Sequence, residues 1–397
     1  MKLRSTRLGR SFADTMPEFR ALASRSMPAF VTRRSIEAPR NVAVFMFHAV
    51  EEEPFQRQLE FLSLNGYVTL NAAELVETLG SGSHDLRRVA LTFDDGTWTF
   101  WTCAFPLLKR HRARAVLFVA PGLVPDDPAL YSNLDDVRAG TADRAALRRR
   151  AHSQPLCTWR ELQVMHESGL VDIQSHSLTH SLVPVSPRVV DFLHPGFDTD
   201  SFGNVRIPLC ASDDSARPER PFRLGAPVFE SAPRLTDRPR FVEDEAFVDA
   251  LLDHVSSHGG PTFFEHRTWR RQLRSLVEEW PEAKRGRFEE PEEKDAVILA
   301  ELAESKRLLE ERLPGKTVEH VCYPWSAGSR LADRLAADIG YRAVHYGAAL
   351  PSRGDRRSDL IYIRRVSKEY LHRLPGNGRV SLWSIWADRF RRLRAPP

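Results

Sequence analysis

Short apolar runs alternate along this chain with longer segments in which apolar residues recur every three or four positions. Short apolar runs indicate buried strands, and the longer spacing indicates amphipathic helices. The predicted strands are residues 42–47, 89–93, 113–119, 171–175 and 342–345. Helices are predicted between them, as where Phe55, Leu59 and Leu62 share one face and Gly66 ends the helix. This order favours a parallel sheet or barrel.

Two long stretches, 123–155 and 187–291, interrupt the alternation of strands and helices. The first is polar and rich in arginine, and the second contains many prolines and histidines without any repeat. Each follows a predicted strand end, so both are expected at the edge of the sheet where α/β folds bind ligands. Insertions at that edge commonly shape substrate choice.

Composition predicts an ordinary globular protein with ample material for a core, because 42% of the residues are hydrophobic and 28% are charged. No run approaches the roughly 18 apolar residues of a membrane span. The basic N-terminus lacks the apolar segment of a secretory signal. The four cysteines are scattered and form no Cys-x-x-Cys pair, which fits reduced thiols. We therefore expect a cytoplasmic protein whose substrate is made inside the cell.

Both ends of the chain are basic, with nine Lys/Arg against three acids in residues 1–40 and four arginines against one acid in 384–397. A basic start without interleaved aromatic residues is weak support for nucleic acid and better support for an anionic membrane surface or a disordered arm, so no nucleic-acid partner is predicted. The tail carries Trp383, Trp386 and Phe390 at helical spacing. Such a helix either packs on its own domain or lies on an anionic membrane surface. Peripheral contact with the inner membrane surface is therefore one expectation.

Candidate chemistry is concentrated at two strand ends. Residues 89–93 run into Asp94, Asp95 and Gly96, and glycine permits the sharp turn that two neighbouring carboxylates need to act differently in one cleft. The strand at 171–175 runs into His176 and His180, whose spacing lets both imidazoles reach one metal ion. Either segment alone has a plainer explanation, a turn or a solvated histidine pair. Together, at strand ends, they predict a hydrolytic metal site.

Three segments of the chain resemble signature motifs of the polysaccharide deacetylases, carbohydrate esterase family 4. They are Thr92-Phe-Asp-Asp-Gly96, His176-Ser-x-x-His180 and Cys322-Tyr-Pro-Trp325. The resemblance covers roughly residues 40–125, 155–186 and 292–367. Its first two motifs are specific in combination and the third is looser.

The resemblance implies an α/β fold, a distorted (β/α)7-8 barrel of the glycoside hydrolase and deacetylase type, with the two long stretches as insertions at its rim. By rim we mean the edge formed by the carboxyl ends of the strands. The layout that follows is a basic arm at 1–38, a catalytic barrel at 39–370 and a basic amphipathic tail at 371–397.

The same resemblance assigns roles to the site residues. Asp94 corresponds to the catalytic base, and Asp95, His176 and His180 correspond to ligands of a divalent metal, with zinc expected first and Co²⁺, Ni²⁺ or Mn²⁺ as alternatives. Three protein ligands leave a position for water, whose pKa the metal lowers. The backbone N–H of Tyr323 is predicted to stabilise the oxyanion.

Two departures from the family pattern concern the base and the general acid. Many members carry an arginine at the position of Cys322, where it orients the base, so Asp94 is expected to lack that charge partner. The motif that supplies the acid in the family has no clear counterpart. His48, at the end of the first predicted strand, and His372, after a leucine, are the two candidates, and the alternative for each is a surface or capping role.

The predicted function is metal-dependent hydrolysis of an N-acetyl or O-acetyl group on a carbohydrate, with a nucleotide- or lipid-linked glycan as one substrate class. A sugar deformylase or another small amidase would use the same site. A carbohydrate-binding relative that has lost turnover is the alternative outside enzymes, because the arginine and the acid motif are missing.

Overall fold

The computed structural model describes residues 27–32, 42–81, 87–147, 155–197 and 223–394. The chain divides into two compact units. The first comprises Met1–Thr179 and Ala300–Pro397, and the second comprises His180–Leu299.

The first unit is built on a ring of parallel strands. In spatial order they are β1 (Ala43–Phe47), β3 (Arg88–Phe93), β4 (Ala115–Val119), β5 (Val171–Ser175), β10 (His320–Cys322), β11 (Ala343–Tyr346) and β12 (Ile361–Arg364). The short β2 (Val68–Thr69) pairs with β3 outside this ring. After β12 only Arg365 intervenes before β13 (Val366–Ser367), which pairs with β1. One run of chain thus bridges β11 and β1 and closes the barrel.

Every pairing in the ring is parallel, which confirms the predicted distorted (β/α) barrel at seven strand positions. Strands of such a barrel are covered on both faces, and this explains why they read as continuous apolar runs. All five residues of β4 are buried, for example.

The helices of this unit lie between the strands and begin and end where local sequence requires. They are α1 (Ala29–Thr32), α2 (Glu52–Leu64), α3 (Ala72–Gly80), α4 (Phe105–His111), α5 (Leu134–Ala139), α6 (Trp159–Glu167), α10 (Arg330–Ile339) and α11 (Leu382–Arg394). A capping box opens α6, since the Thr158 hydroxyl accepts from the Glu161 N–H and the Glu161 carboxylate accepts from the Thr158 N–H.

One apolar cluster of the barrel joins several strands to a helix. Val44, Ala90, Ala343 and Ile363, from four different strands, pack against Leu75 of α3. Because side chains alternate along a strand, residues two positions further on face the interior nearer the opposite end. This parity directs the residues of the site inward.

Within the predicted basic arm at 1–38, the structure describes one stretch, residues 27–32. Residues 27–32 are part of the barrel unit, with Met27, Phe30 and Val31 at most 6% exposed. The Phe30 ring meets Phe45 of β1 at 5.9 Å, edge to face. Apolar residues within the basic segment therefore attach it to the barrel. The rest of the arm lies outside the described residues.

The second unit has its own apolar core. Its strands are β6 (Leu182–Phe192), β7 (Pro227–Pro233), β8 (Phe241–Glu243) and β9 (Gly286–Phe288), paired antiparallel as β6–β7 and β8–β9. Its helices α7 (Glu245–Ser257) and α8 (Trp269–Glu279) pack Phe247 and Leu273 into that core. Helix α9 (Pro291–Arg312) leads back to the first unit. The compact unit begins earlier and ends later than the predicted insertion at 187–291.

The tail helix α11 packs on its own unit through one side. Ile385 is buried, and Arg389 pairs with Glu369 and lies over the Tyr370 ring at 5.6 Å. Trp383 is 82% exposed. In the described part of the chain, no helix combines the length and the hydrophobicity needed to cross a bilayer. Membrane contact by the tail stays a prediction.

Candidate active site

The two aspartates that follow β3 are separated by a sharp backbone turn. Asp95 and Gly96 both adopt left-handed conformations, with φ of 72° and 66°. Left-handed backbone is costly for a residue with a Cβ, so the turn after Asp94 is a strained one. Asp94 stays buried at 3% exposure, whereas the Asp95 side chain is 21% exposed. Two neighbouring carboxylates thus occupy different environments.

Asp94 has a charged partner that the sequence did not reveal. The Arg365 guanidinium donates to it in a bidentate arrangement, with Nη1–Oδ1 of 2.5 Å and Nη2–Oδ2 of 2.9 Å. Arg365 is 1% exposed and also places Nη2 2.9 Å from the Cys322 sulfur. The expectation that Asp94 lacks a charge partner is therefore wrong. The guanidinium comes from the strand that closes the barrel, and Cys322 leaves room for it.

The alternation of β12 explains why Arg365 points inward. Ile363 faces the barrel core, and Arg365 lies two residues further on, at the junction with β13. Its neighbours Arg364 and Val366 fall on the other parity. An arginine two residues after Ile363, in a short run of apolar residues, was the available signal, because buried arginines are rare unless paired.

The pKa of Asp94 lies below its ordinary value. Burial alone would raise it, but the Arg365 charge and hydrogen bonds, with His176 nearby, more than offset burial. Burial raises the pKa of the Cys322 thiol, which therefore stays protonated beside this pair. Arg365 thus keeps Asp94 ionised and oriented at neutral pH.

His176 is oriented by a backbone carbonyl. Its Nδ1 lies 2.7 Å from the Cys322 carbonyl oxygen, a contact that requires Nδ1–H to donate. Nε2 is then the ring nitrogen with the lone pair, and it lies 3.4 Å from Asp95 Oδ1. Donation by the second nitrogen to a carbonyl is the usual arrangement for a metal-binding histidine.

Two sets of three potential ligands occur among the described residues, each with ligand atoms within 4.8 Å of one another. Asp95, His176 and His180 form the first, and Asp94, His176 and Cys322 form the second. The Arg365 guanidinium contacts both Asp94 and Cys322, so it already supplies the positive charge of the second set. The first set, two imidazoles and a carboxylate, fits zinc or a similar divalent ion.

The electrostatics of the first set also favour a cation. The pKa of His176 lies well above its ordinary value although burial lowers it. The contact with Asp95 and the negative charge of Asp94 outweigh burial. The surroundings of Nε2 therefore stabilise a positive charge, whether a proton or a metal ion.

The two candidates for the general acid lie in different places. His48 follows β1, its Nε2 is 3.8 Å from Asp94 Oδ2, and its side chain is 55% exposed. His372 packs its ring against Phe61 of α2, with centroids 5.0 Å apart. No hydrogen bond or ion pair joins His372 to the acid pair or to His176 in the described residues. The structure brings His48 to the site and leaves His372 in the helical layer.

The backbone N–H of Tyr323, predicted to stabilise the oxyanion, already donates a hydrogen bond within the protein. Its backbone N–H donates to the His345 carbonyl at 3.4 Å, so this donor is engaged within the sheet. Its hydroxyl donates to Asp333 Oδ1 at 2.8 Å. The oxyanion role of the Tyr323 N–H stays a prediction that requires the bond to His345 to be released.

A second histidine pair lies inside the barrel and was not singled out from the sequence. His320 Nδ1 and His345 Nε2 are 3.0 Å apart, and both residues are at most 2% exposed. Phe118 lies 4.7 Å from the His345 ring and 6.5 Å from His176, between centroids. The Phe118 ring thus lies beside one histidine of each pair.

The family model described as polysaccharide deacetylase matches residues 81–190. Among curated proteins, a poly-beta-1,6-N-acetyl-D-glucosamine N-deacetylase of Escherichia coli K12 is 28% identical over 177 residues, 42% of this chain and 25% of that protein. The protein of that name from Staphylococcus epidermidis is 25% identical over 135 residues, 34% of this chain and 38% of that protein. The chain thus spans about a quarter to two fifths of the length of these relatives.

Among solved structures, a de-N-acetylase from Aggregatibacter actinomycetemcomitans aligns with a TM-score of 0.47 and 15% identity, covering 82% of this chain and 94% of that one. The BpsB deacetylase domain from Bordetella bronchiseptica aligns with a TM-score of 0.47 and 16% identity, covering 82% and 95%. At these scores the fold assignment rests on the strand order of the chain itself. The part of the chain that the family model covers contains Asp94, Asp95, His176 and His180, so this part is similar to the polysaccharide deacetylases.

Proposed function

We propose that this protein removes N-acetyl groups from an amino-sugar polymer or oligomer in a metal-dependent hydrolysis. The observation that carries the proposal is the division between the two aspartates. Asp94 is bound by Arg365, whereas Asp95 lies with His176 and His180 in a set that fits a metal. The names of the curated relatives support poly-β-1,6-N-acetylglucosamine as the first substrate to test.

Asp95, His176 and His180 would hold the metal. Such an ion supplies Lewis acidity, which lowers the pKa of a water molecule and polarises the acetyl carbonyl. The carbonyl of Cys322 keeps His176 in the tautomer that presents Nε2. Zinc is our first choice for this donor set, with Co²⁺, Ni²⁺ and Mn²⁺ as alternatives.

Asp94 takes the proton of the attacking water. Its lowered pKa keeps it ionised at neutral pH, and the two bonds from Arg365 fix its orientation. His48 is the proton donor to the leaving amine, because its Nε2 lies 3.8 Å from Asp94 and its side chain is half exposed. Proton acceptor and proton donor thus come from adjacent strands, β3 and β1.

The test measures acetate release from β-1,6- and β-1,4-linked N-acetylglucosamine oligomers, from an O-acetylated glycan and from nucleotide- and lipid-linked N-acetylated sugars. We expect release from the N-acetylated oligomers, abolished by a chelator and restored by Zn²⁺ or Co²⁺. Asp94→Asn should reduce kcat by about 10²–10⁴-fold, the usual contribution of a general base. Asp126→Asn, an exposed carboxylate paired with Arg312, is the matched control and should act like wild type.

Other outcomes identify the alternatives. Formate release from an N-formylated sugar without acetate release indicates a deformylase. Sugar binding without turnover, equal in wild type and Asp94→Asn, indicates a binding protein and contradicts the proposal. Absence of bound metal after loading contradicts it as well.

A further inference from the structure

A buried carboxylate faces the loop that joins the two histidines of the metal set. Glu301 of α9 is 6% exposed, and its Oε2 accepts the backbone N–H groups of Leu178 at 3.0 Å and Thr179 at 3.1 Å. Its Oε1 accepts the Thr179 hydroxyl in a short hydrogen bond. The Glu301 side chain thus binds Leu178 and Thr179, the two residues immediately before His180.

This loop has a strained backbone. Ser177 and His180 are left-handed, with φ of 63° and 49°. Such a conformation costs a residue with a Cβ about 1 kcal/mol or more, so surrounding contacts must stabilise it. The strain lies at one of the two histidines and directly beside the other. The conformation that sets the spacing of His176 and His180 is therefore not the one the loop prefers by itself.

The middle of the loop is also held from its other side. The Gly122 N–H donates to the Leu178 carbonyl at 2.9 Å, and a Cβ at position 122 would lie 2.8 Å from that oxygen. Ser305, one turn after Glu301 on α9, donates to the Ser177 carbonyl at 3.1 Å. Among these contacts only Glu301 brings a charge, and charge-assisted hydrogen bonds are about twice as strong as neutral ones.

No ion pair to Glu301 occurs among the described residues, although a buried charge is normally compensated. Its negative charge is stabilised by the three hydrogen bonds from the loop. Burying a charged carboxylate is costly unless it keeps such hydrogen bonds. The carboxylate and the strained loop therefore depend on each other.

We propose that Glu301 is a positioning residue for the metal ligands, holding His176 and His180 at the separation that one ion requires. This inference rests on the proposed function, because it takes His176 and His180 as ligands. Glutamine at this position would keep the shape of the side chain but replace one acceptor oxygen with an NH₂ group facing donors. The loop would then relax toward ordinary backbone, and the two imidazoles would separate.

The test is Co²⁺ binding to the full chain, measured by calorimetry and by the visible absorption of the bound ion. Glu301→Gln should bind Co²⁺ about 10–100-fold more weakly, the range for residues that orient metal ligands. Its absorption bands should shift, because ligand geometry changes. Glu304→Gln, on the same helix with an exposed carboxylate paired to Arg307, is the control and should keep wild-type affinity and spectrum.

A purely structural role gives a different result. Thermal unfolding of the metal-free variants would then show a lower Tm for Glu301→Gln, with Co²⁺ affinity and spectrum unchanged in the folded protein, and this overturns the proposal. Thr179→Val, which removes only the hydroxyl donor, keeps the test available if Glu301→Gln does not fold, and it should weaken Co²⁺ binding to a smaller extent. Unchanged binding in that variant also counts against the proposal. A wild-type chain that binds no Co²⁺ overturns both the metal site and the role of Glu301. If the wild type binds Co²⁺ and the variants bind it equally well, only the role of Glu301 is overturned.

Discussion

The barrel contains two pairs of histidines in opposite chemical environments. His176 and His180 lie at the rim with Asp95, in a set whose ligand atoms are within 4.8 Å of one another. His320 and His345 lie inside the barrel, bonded to each other at 3.0 Å and buried. The first pair has carboxylates around it, and the second has the Phe118 ring.

The shifts in pKa show what the surroundings do. Burial lowers the pKa of His320 to about 4, and burial together with His320 lowers the pKa of His345 well below its ordinary value. His176 is equally buried, yet its pKa is raised, because carboxylates stand beside it. A buried histidine therefore attracts a cation only where acidic groups accompany it, and without them it is a neutral part of the core.

The largest expected effect comes from removing one histidine of the rim pair. His180→Ala should weaken Co²⁺ or Zn²⁺ binding by more than about 100-fold, beyond the range for residues that only orient ligands. Acetate release should fall with it. The comparison variant is His345→Leu, which removes a histidine of the inner pair. Its metal affinity, measured by calorimetry, should stay within about threefold of wild type, and equal losses in the two variants would refute the distinction between the pairs.

How far the sequence could predict this site depended on distance along the chain. Asp94 and Asp95 stand next to each other, and His176 and His180 are four apart, so each pair was visible as a motif at the end of an apolar strand. The barrel followed from the alternation of strands and helices and from the family resemblance. These features are local, and local patterns determine which edge of a parallel sheet a side chain reaches.

Partners that meet across the barrel could not be predicted in the same way. Arg365 is 271 residues from Asp94, and its role depends on which strand closes the ring. Glu301 contacts a loop more than 120 residues away. Strand parity marks Arg365 as inward facing, but parity does not say which carboxylate it meets. The carbonyl that orients His176 belongs to the backbone and leaves no trace in the sequence.

A smaller but still large effect is expected from Arg365→Met. Burial then acts on Asp94 without the guanidinium, so the pKa of Asp94 rises and the acid limb of the kcat/KM profile moves to higher pH. In the wild type, the lowered pKa of Asp94 stabilises the folded state at every pH above the pKa of an aspartate in the unfolded chain. This stabilisation is lost as the pH falls through the pKa of Asp94 in the folded protein. Activity at neutral pH should drop roughly tenfold to a hundredfold, and the free energy of unfolding by roughly 3–5 kcal/mol, as for a broken buried pair.

Two further variants isolate the guanidinium. Arg365→Lys keeps a charge but loses the two-pronged geometry, so its profile should lie between those of wild type and Arg365→Met. Cys322→Arg in the Arg365→Met background moves the guanidinium to β10, into the space where the two side chains meet, and should restore part of the activity. An acid limb that does not move in Arg365→Met would show that Asp94 is not the titrating base.

The smallest effect concerns the inner pair and should appear in stability alone. The unfolded chain binds protons at its histidines near pH 6.5, whereas His320 in the folded state does so only near pH 4. Between these values the unfolded state binds more protons, so folding stability falls as pH falls through this window. A shift of this size corresponds to roughly 3 kcal/mol. Urea unfolding at pH 7.5, 5.5 and 4.5 should show the decline in wild type.

Replacing both members of the inner pair tests this assignment without leaving one unsatisfied nitrogen in the core. The double variant His320→Leu and His345→Leu should have nearly wild-type stability at pH 7.5, because removing both partners of a buried hydrogen bond with apolar groups costs little. Its stability should then decline less between pH 6.5 and 4, since no buried imidazole must stay neutral. Metal affinity at the rim should be unchanged, because neither His320 nor His345 belongs to the metal set. If the stability of the double variant declines as steeply with falling pH as that of the wild type, the acid sensitivity arises from other groups. If the double variant no longer binds metal, the two histidine pairs are not independent.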